Sequence, residues 1–232
     1  MPQRNYGYPE PVPAATQLAV LPFLGAVDGL LRRPLNVPDL RITVHRAMSR
    51  EGQGYLQQMC GYLRPDGVDV QGAGRIFPVN EGIMGAAYET GQVWRTRSYA
   101  DHAALLADLV EDMANAGDTG SPDEVAKSYL AVPFLGPENE VVLILYADCN
   151  ELNFFADDDQ VRHVVEMCEG FCRLFDWMQK CPFPNLRNFP LQKGTPVSGD
   201  RTVYPKLQEE IQSLSPPRFS DVPSFNYEAA AA

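Results

Sequence analysis

Five cysteines and three histidines are the side chains in this chain of 232 residues that could act as nucleophiles or bind a soft metal ion. The cysteines form no CxxC pair, and none lies between Cys60 and Cys149. His163 and Cys168 share a helical pattern, but their spacing of five residues turns the imidazole away from the face that holds Cys168 and Cys172. We therefore expect reduced thiols in a core, no metal site and no catalytic residue.

A second group of side chains could bind a small molecule. An arginine close to tyrosine, tryptophan and histidine side chains offers charge, hydrogen bonds and flat apolar rings, which suit an anionic or aromatic ligand. Taken singly, Phe77, Ile83 and Trp94 are more often ordinary core residues than ligand contacts, so the core interpretation stands beside the binding one. The ligand-binding candidates are Arg75, Phe77, Ile83, Met84, Ala87, Trp94, Tyr99, His102 and Tyr129.

The stretch GRIFPVNEGIMGAAYETGQVWRT, residues 74–96, must position most of these candidates. Asn80 can cap a short helix, and Gly91 can end it in the left-handed conformation. The residues between them recur at helical spacing and predict one thin apolar face of small side chains, able to lie close against a sheet. This face consists of Ile83, Ala86, Ala87 and Thr90.

The rest of the pattern predicts a mixed α/β fold. Apolar alternation and apolar runs between turn signals indicate strands over 40–48, 55–63, 75–79, 93–96, 128–135 and 141–148. Helical patterns begin at Pro22, near residue 99 and at Asp157, and Pro22 suits the first turn of its helix. In the first strand the alternation places Arg41, Thr43 and His45 opposite the apolar face.

Composition divides the chain into an arm, a domain and a tail. Residues 1–14 are proline-rich without periodicity and predict a loose arm, and 15–181 predict the folded domain. Residues 182–232 hold eight of the 20 prolines, and their five basic and five acidic side chains cancel. Within this tail, 206–214 has the pattern of a short helix.

Charge and hydropathy exclude two classes of partner. The formal net charge is −11, which repels phosphate backbones and anionic lipid, so we expect no nucleic-acid partner. The longest apolar stretch, residues 18–31, is interrupted by Pro22 and Asp28 and is shorter than the roughly 20 residues of a membrane span. We expect a cytoplasmic protein without a membrane span.

The order of these elements, together with four segments, resembles a GAF domain over about residues 20–180. The segments are NEGIMGAAYETGQVWRT, SYLAVPF, VVLILYAD and FFADDDQVRHVVEMC. One departure is VVLILY, where most GAF domains have a glycine before the strand. The resemblance implies a central antiparallel sheet of about five to six strands, with lid helices over one face and the N- and C-terminal helices on the other. It also implies a sensor or regulator of the PAS/GAF-like kind.

The resemblance constrains the ligand without naming it. GAF proteins that reduce methionine sulfoxide use cysteines near the lid, and here that region has none. A covalent bilin is disfavoured because no cysteine precedes a histidine, while a non-covalent tetrapyrrole stays open. The cyclic-nucleotide signature is matched at Asn150, Phe155 and Asp159, but Glu151 and Gln160 replace its lysine and its last acid. The cofactor is unknown, with a cyclic nucleotide or another small anionic or aromatic ligand as the candidates.

The last helix predicts a second role. Its apolar residues recur at spacings of 3, 4, 3, 4 and 3, as in a coiled-coil seam, and GAF domains often dimerise through such helices. The alternative is a wide stripe that faces the chain's own core. The seam consists of Val161, Val164, Cys168, Phe171, Phe175 and Met178.

These observations favour a non-catalytic regulatory domain that binds a small molecule under a lid and passes the signal through a helical homodimer interface. The alternative is a ligand-free interaction module that uses the terminal helix and the proline-rich tail, with a downstream protein partner.

Overall fold

The computed structural model describes residues 12, 14–32, 37–50, 53–64, 67–68, 72–115, 126–180 and 205–218. Its four α-helices are α1 (Ala14–Arg32), α2 (Gly82–Thr90), α3 (His102–Asn115) and α4 (Asp158–Lys180). Its nine strands are β1 (Arg41–Arg50), β2 (Gln53–Gln58), β3 (Leu63–Arg64), β4 (Gly67–Val68), β5 (Ile76–Pro78), β6 (Trp94–Thr96), β7 (Ser128–Leu135), β8 (Val141–Cys149) and β9 (Gln208–Glu210).

The strands form one antiparallel sheet in the order β4-β3-β1-β8-β7-β6-β9, while β2 pairs with both β1 and β5. The long strands β1, β8 and β7 form its centre, with Ile42 opposite Ala147 and Val132 opposite Leu145. The expected mixed α/β class with an antiparallel sheet is confirmed. The described residues contain nine strands rather than five to six, because short strands such as β3 and β4 extend the edges.

Different helices cover the two faces of the sheet. Successive side chains of β8 point in opposite directions, so Leu143 and Leu145 enter the main core with α1 and α4, while Ile144 packs under α2. We call the side covered by α2 the lid face. Since both faces are covered, eight of the nine β8 residues are buried.

Helix α1 begins at Ala14, eight residues before Pro22, so the expectation that Pro22 lies in the first turn is wrong. Pro22 is exposed, whereas Val20, Leu24 and Val27 of the same helix are fully buried in the main core. Burial of that stripe offsets the hydrogen bond that an internal proline removes. Among the described residues, no helix has the length and apolarity needed to cross a bilayer.

Helix α2 is closed by glycine as the sequence predicts. Gly91 has φ 64° and donates its N–H to the Ala87 carbonyl. The N-cap is Glu81 rather than Asn80, and its side chain makes no capping hydrogen bond. Gly85 is required for another reason, because a Cβ there would lie 2.8 Å from the Asn80 carbonyl carbon. The helix therefore packs tightly on its own entry turn.

The C-terminal segment differs most from the expectation. Instead of a helix over 206–214, Pro205–Leu207 form a 3₁₀ turn and Gln208–Glu210 form β9, which pairs with β6. The unpaired edge of β6 supplies backbone partners that a surface helix would lack, and this tertiary pairing overrides local propensity. Residues 205–218 thus pack on the domain predicted to end at 181.

Candidate functional site

Six of the nine ligand candidates lie together between α2 and the lid face. They share one apolar cluster with Ala131, Ile144 and Tyr146, and several members are only partly buried. The six are Phe77, Ile83, Met84, Ala87, Trp94 and Tyr129. Their arrangement follows from sheet alternation on β6 and β7 and from the apolar face of α2.

Trp94 fastens the end of α2 to strand β6. Its indole Nε1–H donates to the Thr90 hydroxyl at 2.8 Å, and this hydroxyl donates to the Ala86 carbonyl at 2.8 Å. Thr90 is exposed, so it does not belong to the buried apolar face on which the sequence placed it. Gly85 and Tyr88 are buried in its place. A movement of α2 must therefore displace Trp94 or break this bond.

Arg75 approaches the same region from the chain before β5, whereas Tyr99 and His102 lie elsewhere. Burial raises the pKa of Tyr62 to about 12, and the positive charge of Arg75 is among the groups that oppose this shift. Tyr99 belongs to a separate cluster with Leu105 and Leu109 of α3. His102 is exposed at the start of α3. The structure therefore does not bring Tyr99 or His102 into the lid-face cluster.

His45 is the principal residue of this face that the sequence analysis missed. It is fully buried, and among the described residues neither Nδ1 nor Nε2 has a hydrogen-bond partner. Its ring meets Phe77 edge-on at 5.1 Å and Tyr146 at 6.0 Å between centroids. Burial lowers its pKa to about 3, so the imidazole is neutral at pH 7. The alternation of β1 placed His45 correctly on the second face, but only the covering by α2, β2 and β5 makes that face an interior.

An ion pair between a buried carboxylate, Asp148, and a partly exposed guanidinium, Arg41, lies further along the same face. Arg41 donates to both carboxylate oxygens of Asp148, with Nε to Oδ1 and Nη2 to Oδ2 each 2.6 Å. The Tyr146 hydroxyl donates to Asp148 Oδ2 at 2.7 Å, and the Arg41 guanidinium stacks over the Tyr62 ring at 5.3 Å. The hydrogen bond to Asp148 is the main reason that the pKa of Arg41 is raised. Arg41 and Asp148 therefore compensate each other's charge.

These features define what the lid face can do chemically. His45 is neutral, the Arg41 and Asp148 charges cancel, and aromatic rings from Phe77, Tyr129 and Tyr146 supply flat apolar surface. A neutral imidazole carries one N–H donor and one nitrogen acceptor. The arrangement suits recognition of an uncharged ring by stacking and one hydrogen bond.

The cysteines occupy interior positions that make them poor nucleophiles. Cys60, Cys149, Cys168 and Cys172 are buried free thiols, and Cys181 lies outside the described residues. Burial raises the pKa of Cys149 to about 12 and also raises the pKa of Cys60. A thiol reacts as the thiolate, so these environments hold the side chains in their unreactive form.

The seam predicted on α4 lies inside this chain. Val161, Val164 and Cys168 are 0% exposed in the core shared with α1 and the sheet. Phe171 packs on Phe23 with 4.7 Å between ring centroids. The side chains of Phe175 and Met178 lie outside the described part of α4. Val161, Val164 and Cys168 therefore face this chain's own core, as the alternative of a core-facing stripe predicts, and Phe171 is only partly buried. The homodimer interface itself stays a prediction.

The partial cyclic-nucleotide signature also has a structural explanation. Phe155 is 1% exposed in the main core, and its carbonyl accepts from Arg95 Nη1 at 3.0 Å. Asp159 is exposed in the first turn of α4 and accepts from Arg162 at 2.7 Å. Neither residue belongs to the lid-face cluster.

Comparisons with known proteins add little to this geometry. No model of a protein family matches the sequence, and no curated protein matches it significantly. A solved structure described as "Structure of the GAF domain" aligns with 68% of this chain and 89% of its own length, with a TM-score of 0.36 and 13% identity. A similarity this distant carries no argument about function, so the conclusions below rest on the chain's own residues.

Proposed function

We propose that this protein is a regulatory domain that binds a small, uncharged aromatic molecule between helix α2 and the lid face of the sheet. The observation that carries the proposal is His45, whose ring is fully buried and whose two nitrogens find no partner in the described part of the chain. An unpaired buried polar group costs roughly 1–3 kcal/mol, a cost that is seldom retained without use. A ligand that hydrogen-bonds to one nitrogen recovers part of it.

The surrounding charges favour a neutral ligand over the anionic alternative. Arg41 is already bound in a bidentate pair with Asp148, so its charge is not available to a ligand. His45 is neutral, and protonating it to attract an anion would place a new charge in a buried position. Arg75 is half-buried and does not belong to the lid-face cluster, so it supplies no charge inside that cluster for an anion.

The proposed role is binding rather than catalysis. The groups that face the cluster are aromatic rings, a neutral imidazole and a compensated ion pair. The described thiols are buried with no base hydrogen-bonded to them, which does not suit covalent chemistry.

A ligand at this position would act on α2, and Trp94 gives a route away from the site. Its bond to Thr90 connects α2 to β6, and the next residue, Arg95, forms ion pairs with Asp158 of α4 and Glu209 of β9. A ligand that binds one position of α2 better than another would shift the populations of these contacts.

The test compares the wild type with His45→Leu, which removes the hydrogen-bonding nitrogens at similar volume. Native mass spectrometry under gentle and then denaturing conditions detects a molecule retained from the cell. Thermal unfolding with indole, phenol and benzimidazole as neutral probes then measures binding. We expect a rise in wild-type Tm of about 2 °C or more at millimolar probe, and no rise for His45→Leu.

His102→Ala is the matched control, since His102 is exposed on α3 and should leave the probe response unchanged. Equal responses of the wild type and His45→Leu, or a response only to anionic probes such as benzoate, would contradict the proposal.

A further inference from the structure

The edge of strand β6 is covered by residues 205–218, which we call the docked segment. Trp94, Arg95 and Thr96 pair with Glu210, Glu209 and Gln208, respectively. Two further backbone bonds continue this pairing, from Arg97 N–H to the Leu207 carbonyl at 2.9 Å and from Ile211 N–H to the Val93 carbonyl at 3.0 Å. The backbone hydrogen-bonding groups along the β6 edge, from residue 93 to residue 97, are thus paired with the docked segment.

Three apolar side chains anchor the docked segment. Leu207 is 3% exposed and enters the cluster of Tyr99, Leu105 and Leu109 beside α3. Ile211 and Leu214 are 5% and 6% exposed and enter the main core. The second and third anchors lie four and seven residues after the first. An extended segment followed by a turn can therefore place all three side chains in the interior of the domain.

Polar contacts give the pairing a direction and a charge preference. Arg95 Nε donates to Glu209 Oε1 at 3.0 Å, inside the paired region. At one end the Lys206 N–H donates to Asp112 Oδ2 at 2.9 Å, and at the other Leu135 N–H donates to the Pro217 carbonyl at 2.8 Å. The edge therefore recognises an acidic residue at the second position after the first apolar anchor.

These contacts are those of strand addition, in which backbone bonds supply affinity and side-chain pockets supply specificity. We propose that the β6 edge is a recognition site for an extended acidic–apolar peptide of a partner protein, and that the docked segment is its built-in competitor. The matching peptide has an apolar residue, an acid two residues later, and apolar residues four and seven positions after the first.

The chain itself supports this assignment. The docked segment follows the last helix only after the 24 residues between Lys180 and Pro205. It pairs through a strand of three residues and brings its own set of anchors and charges, as a peptide ligand does. The inference is independent of what binds on the lid face.

The test uses the full chain with a protease site inserted after residue 192. One cut there separates the docked segment from the rest of the domain. A fluorescent peptide of residues 204–219 then competes with the chain's own segment in cut and intact protein. A covalent connection between a segment and its site typically gives an effective concentration of order millimolar, and the cut removes it. We expect saturable binding to the cut protein that is about 10-fold or more tighter than binding to the intact protein.

Peptide variants define the specificity. Ile211→Asp places a charge in the core and should weaken binding at least about 10-fold, and Glu209→Gln should weaken it several-fold by removing the partner of Arg95. Ser213→Ala is the control, because Ser213 is exposed. Binding that is equally strong for Ile211→Asp, or no binding of the parent peptide to the cut protein, would overturn the proposal. Dimers that grow with concentration and exchange this segment would overturn the choice of a foreign peptide in favour of a second copy.

Discussion

At the scale of single residues, the polar side chains of β1 decide the character of the lid face. Thr43 and His45 are both fully buried, although they occupy the polar positions of an alternating strand. The Thr43 hydroxyl donates to the Cys60 carbonyl at 3.0 Å and is satisfied, whereas His45 is not. The difference marks His45 as a position where the proposed binding role would oppose stability.

His45→Leu should therefore stabilise the protein in mild acid. The folded-state pKa of His45, about 3, lies below its unfolded value of about 6.5, so the unfolded state binds the proton first as pH falls. The wild type should lose about 2 kcal/mol of unfolding free energy through His45 between pH 7.5 and 5.0, and His45→Leu should lack this loss. Urea unfolding at both pH values measures the difference.

The exposed histidine on α3 supplies the control for this measurement. His102→Ala removes an imidazole that is exposed on α3, so an effect that belongs to the buried ring of His45 should be absent from this variant. Parallel pH profiles for the wild type and His45→Leu would show that the imidazole is not held neutral in the fold.

At the scale of elements, contacts at both ends of α2 fix its position. Gly91 ends it with a positive φ, Trp94 holds its last turn through Thr90, and Gly85 lets it pack on its own entry turn. A lid helix of nine residues has little stability of its own, since isolated helices of this length are marginal in water. Its position therefore depends on these contacts.

Gly85→Ala tests the closest of them. The added Cβ would lie 2.8 Å from the Asn80 carbonyl carbon, so α2 or its entry turn must shift, and we expect a loss of about 1–3 kcal/mol in urea unfolding. Gly170→Ala in α4 is the matched control. A Cβ there meets nothing within 4 Å, and alanine should stabilise the helix by up to about 1 kcal/mol. An unchanged free energy of unfolding for Gly85→Ala would contradict this prediction, because it would mean that α2 can shift without loss of stability.

At the scale of the whole molecule, Arg95 connects three distant parts of the chain. From β6 its guanidinium reaches Glu209 on β9, Asp158 at the start of α4, and the carbonyls of Phe155 and Ala156. The Arg95 side chain is 11% exposed, so its bonds to the Phe155 and Ala156 carbonyls are poorly screened by water. The carboxylates of Asp158 and Glu209 are more exposed, at 55% and 39%, and their ion pairs are screened more. The sheet edge, the last helix and the docked segment thus share one charged centre.

Arg95→Leu should destabilise the contacts among β6, α4 and the docked segment more than Arg97→Leu does. Loss of the guanidinium leaves two carbonyls and two carboxylates without this donor, and we expect about 2–4 kcal/mol of destabilisation together with faster hydrogen exchange at the Ile211 amide. Arg97→Leu is the control: Arg97 is 47% exposed and lies 3.8 Å from Asp108, so it should cost less than about 1 kcal/mol. Equal losses for the two variants would contradict the central role of Arg95.

Several elements could be predicted because local physics determines them. The helix between Gly82 and Gly91 required only a glycine end and a short apolar face, and the strand Val141–Cys149 required only a continuous apolar run. The same patterns grouped Phe77, Met84 and Trp94, which the structure places in one cluster. Strand and helix periodicity is a property of neighbouring residues, so the sequence carries it directly.

The features that the sequence did not predict depend on contacts between residues far apart in the chain. The seam of α4 was visible as a stripe, but whether it faces a second copy or its own sheet is decided by α1, which lies more than a hundred residues earlier. His45 and Asp148 look like surface residues until β8, Tyr62 and α2 enclose them. The 206–214 pattern favoured a helix until the unpaired edge of β6 offered it a strand. The sequence by itself thus determined the elements and their apolar faces, and the tertiary structure alone decided which polar groups are buried and which edges are paired, because burial and pairing are properties of partners rather than of neighbours.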